Sequence, residues 1–354
     1  MNRKVFLALT ALLAVMVMSL CFLVPSGMIL PEAEETYANT EFGAAPQEDE
    51  DAAEASVRPY RALASAGATD ASTGSAVDFD AIDFLPAVDI TALPLDLSEG
   101  GRTPIAENFT EDGYHDASIV VKMEKVEAFG CTFYVARVKI ATASQLRTAV
   151  AGTLKNKRTA YVTQLSQSYN AIVAMNGDNY TNASVKNGYV MRQGELYRKS
   201  FSKGLDALFI DEEGDFHIAL HGQKNQEAML AQLKADGHTV NNAFIFGPAL
   251  VVDGELQTIP DDYQWDRNGS TPRAAIGQVG PLNYIMVQVG ERNTESTGVS
   301  QSDLAQFMYD QGCQQAYNMD GGNSSILAFS GQAYSYKAEE RDLKDIIYFA
   351  SAIE

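Results

Sequence analysis

The hydrophobic pattern divides the chain into three parts. After the short basic start "MNRK", residues 5–24, "VFLALTALLAVMVMSLCFLV", form twenty uninterrupted apolar or small positions. At about 1.5 Å rise per residue such a run spans a bilayer as one helix. Arg3 and Lys4 before it put the N-terminus on the cytoplasmic side and the rest of the chain outside. A cleaved signal peptide has a shorter apolar region followed by small residues. Residues 1–30 are therefore expected to be an uncleaved membrane anchor, with a secreted domain as the alternative. Periodicity then vanishes. Residues 31–112, with stretches such as "EFGAAPQEDEDAAEASV", have too little apolar content to collapse and read as an extended, disordered acidic linker. "FDAIDFLPAVDITALPLDL" is a more apolar island within it.

Residues 113–354 show a different texture. "ASIVVKMEKVEAFGCTFYVARVKI" is two β-rich runs around "EAFG", a hairpin pattern. "ASQLRTAVAGTL" and "RTAYVTQLSQSY" read as helical, and "NAIVAM" as a buried strand. "DALFIDEEGDFHIAL" predicts two strands about a tight turn. "NQEAMLAQLKADG" predicts an amphipathic helix with Met229, Leu230 and Leu233 on one face and Gly237 as its stop. "AFIFGPALVVDGELQ" and "RAAIGQVGPLNYIMVQVG" add strand pairs. "SQSDLAQFMYDQG" is a helix with Ser300 and Asp303 at capping-box spacing. Without regular βαβ alternation, the expected fold is α+β: a single mixed domain, strand-rich with a few packed helices, behind the transmembrane helix and the disordered acidic stalk.

Composition, at 46% hydrophobic and 20% charged, fits a folded domain with a sizeable core. The net charge of −20 excludes a nucleic-acid partner, which needs a basic face. That charge is concentrated in the linker, where residues 31–100 carry sixteen acids against Arg58 and Arg61. Beyond the anchor only Cys131 and Cys313 remain; a disulfide and two separate buried thiols are both open.

Candidate chemistry collects where apolar runs end. "YNMDGGNSS" places Asp320 before Gly321 and Gly322, with Ser324 and Ser325 beyond. Such glycines allow close approach of a ligand and backbone N–H groups that cradle an anion, with Asp320 as base or orienter. The same letters also suit a hairpin turn. "AMNGDNYTN" repeats the design with Asn176, Gly177 and Asp178, and again an Asn-Gly turn is the plain alternative. Asp178, Asn179 and Asn182 could hold a calcium ion, although their spacing matches no standard loop. Lys203 and Arg273 each precede a strand and could hold phosphate oxygens, or stay solvated. Ser200 with Lys203 has the S-x-x-K spacing of penicillin-recognising enzymes but lacks their K-T-G strand. His217 and His221 face one way on a strand, yet "FHIALH" gives no third metal ligand.

In this order and spacing, "IVAMNGDNY", "FGPALVVDGE", "PRAAIGQ" and "AYNMDGGNSS" resemble the phosphodiester glycosidase family across residues 118–352. The resemblance implies a hydrolase that cleaves sugar-1-phosphate diesters and requires no cofactor. Asp320, Arg273 and Asp178 would be catalytic, Asp178 as a second carboxylate. Asn176, Gly177, Lys203, Gly321, Gly322, Ser324 and Ser325 would bind substrate. Asp178-Asn179 and Asn323 depart from residues common in the family. With the anchor, the implied partner is a phosphodiester-linked glycopolymer at the cell surface. The competing reading is a wall-binding module that keeps the pocket without turnover.

Overall fold

Alternating burial along the first long strand pair shows how the fold is built. In β3 (Ile119–Ala128), Ile119, Val121 and Met123 point inward while Val120, Lys122 and Glu124 stay partly exposed. This strand pairs along its length with β4 (Cys131–Ile140). The computed structural model describes residues 100–182, 187–261, 263, 269–290, 297–335 and 340–353. The expected anchor, and the expected linker up to residue 99, lie outside these. Among the described residues no helix is long and apolar enough to cross a membrane.

Nineteen described strands form three antiparallel sheets. The first runs β1 (Phe109–Thr110), β2 (Gly113–His115), β3, β4, β15 (Asn283–Val289), β14 (Arg273–Gly280), β16 (Gln315–Asn318), β12 (Ala249–Val252) and β13 (Glu255–Leu256). The second runs β10 (Phe216–Ala219), β9 (Ala207–Asp211), β11 (Val240–Phe244), β7 (Tyr189–Arg192) and β8 (Glu195–Lys199). The third runs β18 (Gln332–Ala333), β17 (Leu327–Phe329), β6 (Val173–Asn176), β19 (Asp345–Phe349) and β5 (Leu146–Val150). Among the described residues three α-helices accompany them: α1 (Val162–Ser168), α2 (Gln223–Asp236) and α3 (Gln301–Asp310). The domain is strand-rich, mixed α+β.

Both faces of the sheets are buried. Val121, Val138 and Met286 of the first sheet pack with Leu208, Ile210 and Phe244 of the second and with Val173, Met175 and Ile347 of the third. On the opposite side, Phe133 stacks on Phe307 of α3 at 3.9 Å between ring centroids. Helix α3 carries the capping box expected of it, with Ser300 accepting from the Asp303 N–H. Gly237 closes α2 in the left-handed region, as its position predicts.

"ASQLRTAV" is the main reversal. It forms a short 3-10 turn, Ala143–Gln145, and then β5, not a helix. Its polar side chains have buried partners: Thr148 Oγ1 donates to Asn242 Oδ1, and Gln145 Nε2 donates to the Ala350 carbonyl. A helix would have turned them to solvent. Residues 100–112, assigned above to the linker, lie against the domain, with Arg102 bridged to Ser351 and β1 paired to β2. Cys131 and Cys313 are both buried and unpaired with each other.

Arg192 ties the second sheet to the third. It ends β7, is wholly enclosed, and donates to Asp178 Oδ1 at 2.6 Å and to Asp345 Oδ2 at 2.8 Å. Its remaining donor reaches the Met191 and Ala243 carbonyls. The guanidinium also lies 4.0 Å from the Phe244 ring centroid and 5.0 Å from that of Tyr180. Burial alone would lower the guanidinium's pKa, but the two carboxylates hold it above its ordinary value. Removing one partner of such a buried network strands an uncompensated charge. Arg192→Leu is therefore expected to lower stability by about 3–5 kcal/mol in urea unfolding. Adding Asp178→Asn and Asp345→Asn should restore most of it. A single variant as stable as the parent would contradict this assignment.

Candidate functional site

The two strand-end loops singled out in the sequence meet. β6 of the third sheet ends at Asn176, and β16 of the first ends at Asn318, just before Asp320. Since β6 pairs with β17 and β19, and β16 with β14 and β12, neither loop is the hairpin turn that its letters also allow. Asn176 joins them. Its side-chain amide donates to the Asp320 carbonyl at 2.7 Å and to the Gly177 carbonyl at 3.0 Å, and its Oδ1 accepts from the Ile326 N–H at 3.1 Å. The Asp320 N–H in turn donates to the Gly177 carbonyl at 3.3 Å. Asn176 thus positions the acid through its backbone.

The glycines serve approach and turning. A Cβ on Gly177 would fall 2.3 Å from Asp345 Oδ1, so that carboxylate occupies the space a side chain would need. A Cβ on Gly321 would fall 2.8 Å from the Pro272 carbonyl, and Gly322 has φ +59°. The expected anion cradle is not available, because the Gly322 N–H donates to the Pro272 carbonyl at 2.7 Å and that of Gly321 bonds the Asp320 carboxylate. Ser325 donates to the Arg273 carbonyl at 2.7 Å and holds the loop to β14. Ser324 links Asp320 to Arg341, whose Nη1 donates to its hydroxyl at 3.1 Å.

Asp320 itself is half-buried, and its Oδ2 lies enclosed with no hydrogen-bond partner among the described residues. Desolvation raises its pKa to about 6, against the pull of the Ser324 hydrogen bond and the Arg341 charge; the Asp178 charge adds to the rise. Beside it lies a cavity of about 150 Å³, bordered by Asp320, Asn176, Gly177, Arg341, Asp345 and Thr159 among others. Three carboxylates, Asp320, Asp342 and Asp345, border it together with the Arg341 guanidinium and Lys344, so a small polar ligand there meets groups of both charges.

The other expected residues take different places. Arg273 is buried at the start of β14, with Nε donating to the Val299 carbonyl at 3.1 Å and Nη2 to that of Gly269 at 3.0 Å. It braces the loop and does not border the cavity. Lys203 is exposed between β8 and β9, also off the cavity. Asp178 is enclosed, with Oδ1 on Arg192 and Oδ2 on the Ile245 N–H, so neither oxygen faces a ligand or a calcium ion beside Asn179 and Asn182. Besides the exposed Asp342, the cavity is bordered by the buried Asp345, whose pKa burial raises and Arg192 pulls back. Arg341 and Asp345 escape sequence reading because "EERDLKD" looks like a solvated charge run. Asp345 does, however, begin an apolar strand, as Asn176 ends one, and a polar residue at a strand terminus was an available signal.

Comparisons with known proteins bear on the fold and the family of the chain. The SPbeta prophage-derived uncharacterized protein YomE of Bacillus subtilis (strain 168) is 26% identical over 174 residues, covering 48% of this chain and 26% of the relative. This chain thus spans about a quarter of that relative's length. Among solved structures, the zebrafish N-acetylglucosamine-1-phosphodiester alpha-N-acetylglucosaminidase catalytic domain, auto-inhibited by its pro-peptide, matches with a TM-score of 0.52 at 13% identity. That match covers 71% of this chain and 87% of the zebrafish chain, a likeness of fold. The model of the phosphodiester glycosidase family matches residues 169–350. Since that span is half the chain and carries both strand-end loops with Arg341 and Asp345, the chain belongs to the phosphodiester glycosidase family.

Proposed function

We propose that the domain cleaves the bond between the anomeric carbon of a sugar and the phosphate oxygen of a sugar-1-phosphate diester. The observation that carries this reading is Asp320: a carboxylate with one unpartnered enclosed oxygen and a pKa raised to about 6, on a cavity it shares with Arg341. A base is most effective when its pKa lies near the working pH, and this one is ionised at neutral pH. Asp320 takes a proton from water as the water oxygen bonds to the anomeric carbon. The bond from that carbon to the phosphate oxygen breaks, and its electron pair leaves with the phosphomonoester. The departing group gains negative charge, which Arg341 stabilises more in the transition state than in the bound diester. Asn176 holds Asp320 in place, and Asp345 borders the same cavity as a further carboxylate, held by Arg192.

The raised pKa also argues that Asp320 is not there for stability. Its folded-state pKa lies above the ordinary value near 3.9. Its contribution is therefore present below about pH 4 and lost as pH rises through about 6, so at neutral pH the ionised carboxylate works against the fold.

In the substrate reading, the apolar run 5–24 anchors the chain in the cell membrane. The acidic stretch after it is repelled by anionic polymers and holds the domain outward. The substrate is then a surface glycopolymer whose units are joined through sugar-1-phosphate diesters.

The direct test is release of free sugar from defined diesters, including N-acetylglucosamine-1-phosphate diesters and teichoic-acid-like fragments; no free sugar from any of them would overturn the reading. Asp320→Asn is expected to lower kcat by about 10²–10⁴-fold. Its thermal unfolding at pH 7 should stay equal to the parent's or rise; undiminished turnover would remove Asp320 from the mechanism. In the parent, kcat/KM should fall as pH drops through about 6, and a flat profile down to pH 5 would contradict the base role. Arg341→Gln should cost more in kcat than Lys203→Gln, which lies off the cavity. Equal effects would contradict the phosphate assignment.

A further inference from the structure

The histidines that seemed short of a metal ligand acquire one through the fold. His217 and His221 part company: His221 Nδ1 lies 3.3 Å from Asp206, while His217 Nε2 lies 2.8 Å from Asp211 Oδ2. A second imidazole comes from elsewhere in the chain. His238 follows the left-handed Gly237 that ends α2, and its N–H donates to the Leu233 carbonyl at 2.9 Å, fixing its backbone. Its Nδ1 stands 3.1 Å from the same Asp211 Oδ2.

Asp211 is set up to offer that oxygen outward. It ends β9, is buried, and its Oδ1 is consumed by the N–H groups of Glu213 at 3.0 Å and Asp215 at 2.9 Å. Only Oδ2 remains, and it faces both imidazoles. Glu212, exposed beside it, brings a second carboxylate, one oxygen of which accepts from the Thr239 N–H. Ligand atoms of Asp211, Glu212 and His238 all lie within 4.8 Å of one another. Two ligands on one tetrahedral zinc ion, each at about 2.1 Å, stand about 3.4 Å apart. The His238–Asp211 pair is already near that spacing, and the exposed Glu212 side chain is free to close the rest.

A separate feature points to a ligand at the same place. A cavity of about 220 Å³ borders Asp211 and Glu212 and is also lined by Gln193, Asn241 and Asn242. The Gln193 side-chain Nε2 is enclosed with no hydrogen-bond partner among the described residues. It is a donor without an acceptor, lining the same cavity as the two carboxylates. A water or hydroxide on a bound cation would supply that acceptor and fill the open coordination position.

We propose that Asp211, Glu212 and His238 bind a divalent transition metal of the zinc type, with His217 as positioning residue. The imidazole ligand selects against calcium and magnesium, which prefer oxygen alone. His217 donates from Nε2 to Asp211 and orients its carboxylate, the arrangement common behind metal ligands. The ion joins the β9–β10 turn to the junction of α2 and β11. β11 in turn supplies the Ala243 carbonyl that accepts from Arg192, so the site braces the sheet behind the hydrolytic cavity without taking part in it.

The test uses the full-length chain, stripped with a chelator and titrated with zinc chloride by calorimetry, with thermal unfolding followed in parallel. One-to-one saturable binding that raises the unfolding temperature is expected. His238→Ala and the exposed-site change Glu212→Gln should each weaken binding at least tenfold, and His217→Gln by about 10–100-fold. His221→Gln, paired with Asp206 instead, should bind as the parent does. Circular dichroism of each metal-free variant checks its fold. Absence of saturable binding, or unchanged affinity in a folded Glu212→Gln and His238→Ala, overturns the proposal whatever the chain's activity on sugar phosphates.

Discussion

A single enclosed guanidinium sets the geometry on which the rest depends. Arg192 sits between Asp178 and Asp345, one placed just after β6 and the other at the start of β19. Enclosing a guanidinium with two carboxyl groups is tolerable only if the charge is compensated and the polar atoms are hydrogen-bonded. The backbone of β6, β19 and β7 is therefore held to one arrangement. Asp178 reaches further, accepting from the Ile245 N–H beyond β11. The network thus spans two sheets and ends where β6 releases its loop.

From that fixed point the candidate catalytic acid follows by short steps. Gly177 must lack a side chain because the Asp345 carboxylate occupies the space. Asn176, one residue earlier, ties the loop of the third sheet to that of the first by binding the Asp320 carbonyl. Ser325 and the Gly322 N–H fasten the second loop to Arg273 and Pro272 at the start of β14. Framework residues thus surround one unpartnered carboxylate oxygen. A buried carboxylate oxygen left without a partner beside a cavity is a mark of function more than of folding.

Much of this was legible in the sequence where the signal is local. The β3–β4 hairpin, the Ser300–Asp303 capping box and the Gly237 helix stop depend on neighbours a few residues away, and each formed as its letters suggest. Asn176 and Asp320 were legible for the same reason, as polar residues at the ends of apolar strands. β5 misled because its partner β19 lies some two hundred residues on, and tertiary pairing overrode a weak helical pattern. Arg273 and Asp178 stand in the expected loops, but their side chains are engaged within the protein, Arg273 by the Val299 and Gly269 carbonyls and Asp178 by Arg192 and the Ile245 N–H. Sequence shows where a charged residue sits, not whether its head turns to a ligand or to a carbonyl. Arg341 and Asp345 were hidden within a run of charges, because the neighbour that gives each its meaning is distant in the chain.

The account's central claim is that Asp320 directs water to the sugar carbon and leaves the phosphorus untouched. It is tested most directly by hydrolysing a sugar-1-phosphate diester in water enriched with heavy oxygen and weighing the phosphomonoester product by mass spectrometry. The account predicts a phosphate carrying no label, with the new oxygen on the sugar. Label in the phosphate would mean attack at phosphorus and would contradict it.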